Sequence, residues 1–461
     1  MPFGLSPGRL IAIAAVAAGL WLLIIPPAGL SSDAAKAAAV AVAAIGLWAT
    51  GAIPEALTAL AFFLAAMLIG VAPADVVFSG FAAAAIWLIF GGLVVGAGIR
   101  RTGLGRRLAN AIGAVFPSTY LGMLVGLVAV GVLLSFLLPS SMGRMVLLIP
   151  IAVSIAEACG FERGSNGRTG IVLAAGCGAF LPAFSIMTAN VPNIVLIGAS
   201  EAVWGISPIY GEYLLLHFPV LGLGKALLLP FVIYFAFPDR MERQAEEPEA
   251  AGPMSRDEKR LAAILVLALA FWATDFLHHI SPAWIGLAAA VVCLTPRISI
   301  VPAESFAKEV DLSPVFYVAG IIGLGAVISH SGLGDSLARA LLGVADLKPG
   351  ADAQNFALVT GATSLLSLAV TLPPVPIIMT PLAGGIAEAT GLSIEAALMM
   401  QVIGFSTMIL PFQSPPLVVG LHMAGVPVVR ATRIVLTMAA LTVLVLLPLD
   451  FLWWRLLGWF G

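Results

Sequence analysis

A chain of 461 residues would ordinarily make roughly two or three soluble domains, but 61% of these residues are hydrophobic, 10% are charged, and the mean hydropathy is +1.08. No soluble fold hides that much apolar surface, so the expectation is an all-α polytopic membrane protein. A net charge of −2 gives no basic field for nucleic acid and no acidic solvating tail, which leaves the lipid bilayer as the partner that composition names.

A hydrocarbon core of about 30 Å needs about 20 apolar helical residues, which sets the spans in chain order. An N-terminal span (1–33) crosses at about 9–30; its apolar run, about 10–30, follows only Arg9 as its charge and is longer than a signal-peptide core. A first half, 34–238, follows with crossings at 35–53, 55–72 and 80–99, an interrupted apolar region at 118–160 read as a re-entrant hairpin, a broken helix at 168–204, and a crossing at 213–238. The polar stretch 239–257, containing EEPEAAGP, reads as a cytoplasmic linker. A second half, 258–461, runs through 259–279, 282–296 and 312–330, a second hairpin at 351–391, a broken helix at 393–424, and a last span at 433–454. That is about eleven crossings plus two hairpins. Cys159, Cys177 and Cys293 have no C-x-x-C spacing and read as small packed hydrophobes.

With the N-terminus in the cytoplasm and the C-terminus outside, only Lys36, Arg339, Lys348 and Arg455 of the 22 basic residues fall outside, and Lys225 and Arg144 fall within the bilayer. Flipping the chain reverses that bias, so the N-inside orientation in a plasma (inner) membrane is expected. Three pairs of segments resemble each other: 47–60 with 271–284, 91–109 with 320–338, and 149–160 with 380–391. Five crossings separate the partners, which therefore point in opposite directions, an inverted-topology repeat suited to alternating access.

Unwound backbone is tolerated at membrane depth only where protein or a watery cavity surrounds it, so breaks in apolar helices mark the candidate site. The first hairpin breaks at Ser140, Ser141, Met142, Gly143 and Arg144 after Pro139, and the second at Thr371, Leu372, Pro373 and Pro374. The broken helices interrupt at Thr188, Ala189, Asn190, Pro192 and Asn193, and at Gln413, Ser414, Pro415 and Pro416. Freed N–H groups at half-helix starts suit an anion, and freed carbonyls at half-helix ends suit a cation. Arg144 adds a guanidinium that costs about 2.5 kcal/mol or more to place in hydrocarbon, so it should either face a cavity or snorkel to an interface. Glu157 and Glu388 read as interfacial, and His278 and His279 as solvated, with no third ligand at metal spacing.

At these residues the chain resembles the divalent anion/sodium symporter family, within the citrate-transporter-like superfamily, over nearly its whole length. The resemblance rests on Trp48-Ala49-Thr50-Gly51-Ala52-Ile53-Pro54, on Ser140-Ser141-Met142 before Pro150 and Thr371-Leu372-Pro373 before Pro381, and on Ala189-Asn190-Val191-Pro192-Asn193 and Gln413-Ser414-Pro415-Pro416-Leu417. It implies an elevator-type homodimer with scaffold and transport parts, carrying a small anion such as a di- or tricarboxylate or sulfate. Where sodium-coupled members have Asn in each hairpin motif, this chain has Ser141 and Leu372; a sodium ion would have to bind near Ser140, Ser141 and Ala189. Arg144 resembles the basic side chains that sodium-independent exchangers place there, so the expected function is secondary transport by sodium-independent exchange or proton coupling. A sodium-coupled symporter is the alternative, and an anion channel is the rival of another class. No cofactor is expected beyond a sodium ion or proton as coupling ion. An enzyme is not expected, since no H-E-x-x-H and no paired intramembrane aspartates occur.

Overall fold

The computed structural model describes residues 7–27, 29–105, 107, 119–240, 252–344 and 346–460, and among these it is helical throughout, with no strand. The first half contains α1 (Pro7–Ile24), α2 (Ser32–Thr50), α3 (Glu55–Ile69), α4 (Ala84–Thr102), α5 (Tyr120–Leu137), α6 (Ser141–Ala158), α7 (Asn166–Gly178), α8 (Val191–Trp204) and α9 (Tyr210–Ala236). The second contains α10 (Arg256–Ala273), α11 (Pro282–Leu294), α12 (Ser313–His330), α13 (Leu333–Val344), α14 (Asp352–Val370), α15 (Val375–Thr390), α16 (Ile394–Ser406), α17 (Pro415–Ala424) and α18 (Val428–Leu456). Side-chain oxygens of Ser31, Thr119, Ser140, Ser165, Asn190, Ser255, Ser393 and Ser414 cap helix starts, satisfying N–H groups that lipid cannot.

Among the described residues, 9 helices are long and apolar enough to cross a membrane, or 10 when the pair α15–α16, bent by 119°, counts as one span. This tally differs from eleven crossings and two hairpins for a reason of length. The hairpin arms α5, α6 and α14 have 18, 18 and 19 residues, whereas the expected crossings α3 and α11 have only 15 and 13.

Lipid gives helices no hydrophobic incentive to associate, so close packing of small residues must hold them together. α4 lies against α11, and α12 against α3. A Cβ on Gly91 would come 2.5 Å from the Gly286 carbonyl oxygen, and one on Gly320 would come 2.6 Å from the Ala59 Cβ. Gly91 and Gly320 occupy matching places in the similar segments 91–109 and 320–338, and each lets its helix cross one from the other half.

Of the expected linker, 241–251 lies outside the described residues, as do Arg106 of the Arg-rich stretch and residue 118 of the first hairpin. Beside the linker, Arg107 pairs with Glu258 at 2.7 Å and donates to the Gly252 carbonyl at 2.8 Å. The Arg107 guanidinium, helped by the Ser255 N–H, pulls the Glu258 carboxyl down to about 2. Two further carboxylates sit at helix starts, where the dipole favours them: Asp239 accepts from Gly167 N (2.6 Å), and Asp275 from Tyr210 N and Gly211 N.

Candidate functional site

In the first half, α5 stops at Leu137 and α6 begins after Ser140, whose hydroxyl accepts from Gly143 N at 3.1 Å. The helix α7 stops at Gly178, a short 3₁₀ turn spans Pro182–Ser185, and α8 begins after Asn190, whose Oδ1 accepts from Asn193 N at 3.1 Å. Arg144 joins these two interruptions. Its Nε donates to the Ala179 carbonyl (2.9 Å), its Nη1 to the carbonyls of Leu138 and Ala189 (2.8 Å to the latter), and its Nη2 to Ser141 Oγ (3.2 Å). The side chain is 0% exposed, so it does not snorkel. Leu138 and Ala179 terminate α5 and α7, where the dipoles are negative. The guanidinium thus occupies a cluster of carbonyl oxygens of the kind that otherwise holds a small cation. Two of the groups expected to hold sodium, Ser141 Oγ and the Ala189 backbone, are engaged by Arg144.

The rest of this break is polar and sealed. Asn193 Nδ2 donates to the carbonyls of Phe184 (3.0 Å) and Ile186 (2.9 Å), and the Thr188 hydroxyl lies buried beside that of Tyr210. Asn190 Nδ2 and Asn193 Oδ1 are buried without a hydrogen-bond partner among the described residues. Such atoms are rare in a finished core.

In the second half, α14 ends at Thr371, which carries φ 63° and ψ −177°, a region a non-glycine residue seldom enters. The helix α16 ends at Ser406, a 3₁₀ turn covers Pro411–Gln413, and α17 begins after Ser414, whose hydroxyl accepts from Leu417 N at 3.4 Å. Gln413 binds this break together. Its Oε1 accepts from Ile409 N and Leu410 N (2.7 Å each), its Nε2 donates to Ser367 Oγ on the hairpin arm, and its carbonyl accepts from Leu372 N at 3.3 Å. A cation is present here too, from a different helix: Lys225 Nζ on α9 donates to the Ser406 carbonyl (2.7 Å) and to Ser406 Oγ (3.0 Å). In sequence Lys225 stands apart from every break, so only the fold reveals that it sits at the carbonyl end of α16.

The two halves interlock crosswise. Hairpin helix α6 packs on α17, with Met145 beside Gly420 and Leu417 over Gly176 of α7. The half-helix α8 packs on Val375–Met379 at the start of α15, and Trp204 Nε1 donates to the Thr380 carbonyl at 2.8 Å. Phe184 and Phe405, one from each broken helix, meet with ring centroids 5.9 Å apart. Ser141, Arg144, Thr188, Asn190, Pro192, Asn193, Leu372, Pro374, Gln413 and Ser414 are buried. Ser140, Gly143, Thr371, Pro373 and Pro416 are half-buried, while Met142 and Pro415 are exposed. A closed polar interior therefore has a reachable rim at the two hairpin tips.

Other candidates lie elsewhere. Glu157 pairs with Arg168 at 2.9 Å beside an open depression of about 530 Å³ lined by Gly160, Phe161, Glu162 and Arg163, at the far end of the hairpin from Arg144. Among the described residues no group of His, Cys, Asp or Glu could hold a metal ion. Asp450 and His217, which no motif marks in the sequence, are both fully buried, each with side-chain polar atoms lacking a partner among the described residues. The available signal was an aspartate inside the apolar run of α18.

The family described as the sodium:sulfate symporter transmembrane region matches residues 8–460. A protein of Cupriavidus necator named only as a membrane protein is 26% identical, over 97% of this chain and 92% of its own. The L-tartrate/succinate antiporter of Escherichia coli K12 is 27% identical over 266 residues, which are 55% of this chain and 54% of the antiporter, so the match spans about half the length of that relative. Among solved structures, the YdaH transporter of Alcanivorax borkumensis superposes with a TM-score of 0.56 at 16% identity, covering 86% of this chain and 89% of that one, a likeness of fold.

Proposed function

The chain belongs to the sodium:sulfate symporter family, as a multi-pass membrane protein that transports anions, and we propose that it exchanges di- or tricarboxylates, with Arg144 standing where a coupling sodium ion would otherwise bind. The observation that carries this reading is the guanidinium's set of three backbone carbonyls, Leu138, Ala179 and Ala189. A fixed cation there holds the break in shape without ion uptake and lends its positive field to an anion bound at the nearby helix starts. The N-terminal ends of α6, α8, α15 and α17, with the spare amide of Asn190, supply donors for carboxylate oxygens. Tartrate and succinate, named for the half-matching antiporter, are both dicarboxylates, and that protein's name is an exchanger's.

The same reading includes two inverted repeats moving as an elevator in a homodimer, in the inner membrane with the N-terminus inside. The crosswise contacts of α6 with α17 and of α8 with α15 support it, because each hairpin packs on a half-helix of the other half. Thermal unfolding of purified protein against succinate, tartrate, citrate and sulfate, in sodium and in choline buffers, tests the site. The expected result is that a carboxylate raises Tm equally in both buffers. A shift seen only in sodium would support a sodium-coupled symporter instead.

A further inference from the structure

The last helices of the two halves, α9 and α18, each contain one widened π-helical turn, Phe218–Gly222 in α9 and Thr442–Leu446 in α18. Such turns insert a residue into a helix and concentrate at functional places. The two meet: the π turns pack on each other, and a Cβ on Gly224 would come 2.6 Å from the Leu446 side chain. Around this contact lies a polar cluster sealed from solvent, with Asp450 and His217 at 0% exposure and Lys225 at 1%. Lys225 and Asp450 are near enough to attract each other. They form no ion pair, because the ammonium is donated to Ser406. Both Asp450 oxygens, both His217 nitrogens and the Trp454 indole nitrogen have no hydrogen-bond partner among the described residues. His217 makes edge-to-face contacts with Tyr213 (4.6 Å) and Trp454 (5.7 Å), and Trp454 lies one helical turn beyond Asp450.

Resting on the carrier reading above, we propose that Asp450 is a proton-binding site of the transport cycle, with Lys225 shuttling between its carboxylate and the Ser406 carbonyl at the end of α16. An ionised carboxylate buried without a donor is costly, a carboxylic acid much less so, and an ammonium in apolar surroundings needs an acceptor. Two arrangements avoid a bare buried carboxylate while giving the ammonium an acceptor. In the first, Lys225 caps Ser406, as it does in this structure, and Asp450 would carry a proton. In the second, the O–H bond has broken, the proton has passed to water, and Lys225 has swung to the carboxylate, leaving the Ser406 carbonyl. Charge in the cluster changes by one, and the end of α16 is held in one state and released in the other. Ser406 lies immediately before the 407–414 break, so the proton's arrival is reported to the anion site through one side chain.

The titratable group interacting with Asp450 is Lys225 from α9, while His217 of that helix borders the cluster through its ring contact with Trp454. Tyr213, on the same helix, is held by the Phe184 carbonyl at 2.8 Å. From α14 and α16 the cluster receives Phe356 and Ser406, neither of which titrates. One proton travelling with a dianion also removes one of its two charges from the electrical work of crossing.

The test uses full-length protein in vesicles containing a trapped pH dye, with labelled succinate as the probe. Wild type under an outside-acid gradient of about one pH unit should accumulate succinate up to about tenfold over the no-gradient level, the limit for one proton per anion, and the vesicle interior should acidify as succinate enters. Asp450→Asn should lose both effects, with a succinate-dependent rise in Tm showing that it is folded and still binds the anion. Wild type that exchanges succinate while admitting no protons, or Asp450→Asn that keeps the gradient response, overturns the proposal. Should the variant not fold, the wild-type proton measurement decides alone. Wild type that neither exchanges nor accumulates any of the four anions would refute the carrier reading itself, a different outcome from loss of the proton response.

Discussion

Replacing Arg144 with alanine removes every donor that the guanidinium supplies to the first break. The Leu138 and Ala189 carbonyls lose their side-chain donor, and Ala179 keeps only a long contact of 3.4 Å from Ser135 Oγ. Each buried carbonyl left without a donor costs about 1–3 kcal/mol. Against this, the variant no longer holds a guanidinium in an apolar setting, a relief of about 2.5 kcal/mol or more. The two carbonyls left bare, about 2–6 kcal/mol together, less that relief, leave a net loss of up to about 3 kcal/mol. The more discriminating effect concerns sodium. If the guanidinium fills a cation's place, the emptied carbonyl cluster of Arg144→Ala should accept sodium and regain up to about 2.7 kcal/mol at a hundredfold excess over its Kd. Thermal unfolding in detergent, titrating sodium chloride against choline chloride at fixed ionic strength, reads both effects. The expected outcome is a variant that melts lower and recovers with sodium but not choline, beside a wild type that ignores the difference. A variant that melts like wild type, or a wild type that responds to sodium as strongly as the variant, would refute the reasoning.

Gly91→Leu should destabilise by about 1–3 kcal/mol through overpacking against the Gly286 carbonyl, and Gly320→Leu similarly. Gly361→Ala on α14, which meets nothing within 4 Å, should be neutral or slightly stabilising; equal melting of all three in detergent would show that the crossings do not depend on these glycines. Thr371→Gly should relieve about 1–3 kcal/mol of backbone strain at the second hairpin tip, raising Tm while slowing anion uptake. An unchanged Tm would place no strain there. Glu258, on the polar first turn of α10, has a carboxyl lowered from 4.5 to about 2 by Arg107. Its folded value is depressed, so its contribution is fully present above pH 4.5 and fades as pH falls toward 2. Glu258→Gln should therefore melt below wild type at neutral pH, with the gap closing across that window; a gap independent of pH would mean that the ion pair is not its source.

Much of this architecture is legible from residues alone because the bilayer removes alternatives. Apolar runs must be helices, and the paired interruptions at Pro139-Ser140, Asn190-Val191-Pro192, Thr371-Leu372-Pro373 and Ser414-Pro415-Pro416 point to broken ones. All four interruptions coincide with helix ends in the structure. Which atoms a charged side chain would meet was less accessible. Arg144 could be singled out as costly, but not that its donors go to Leu138, Ala179 and Ala189, because that depends on α5 and α7 ending side by side. Lys225 lies 181 residues from Ser406, and no local pattern links them. Asp450 escaped notice because one acidic residue near the close of an apolar helix looks interfacial until its burial is known.

Exchange of carboxylates without sodium is the central proposal for this protein. The direct measurement is uptake of labelled succinate or tartrate into sodium-free vesicles reconstituted with the purified protein, comparing vesicles preloaded with the unlabelled dicarboxylate and empty ones. Saturable uptake, several-fold faster into preloaded vesicles and unchanged when sodium is added, is the predicted result. Uptake that requires sodium, or a linear flux indifferent to preloading as a channel would give, would contradict it.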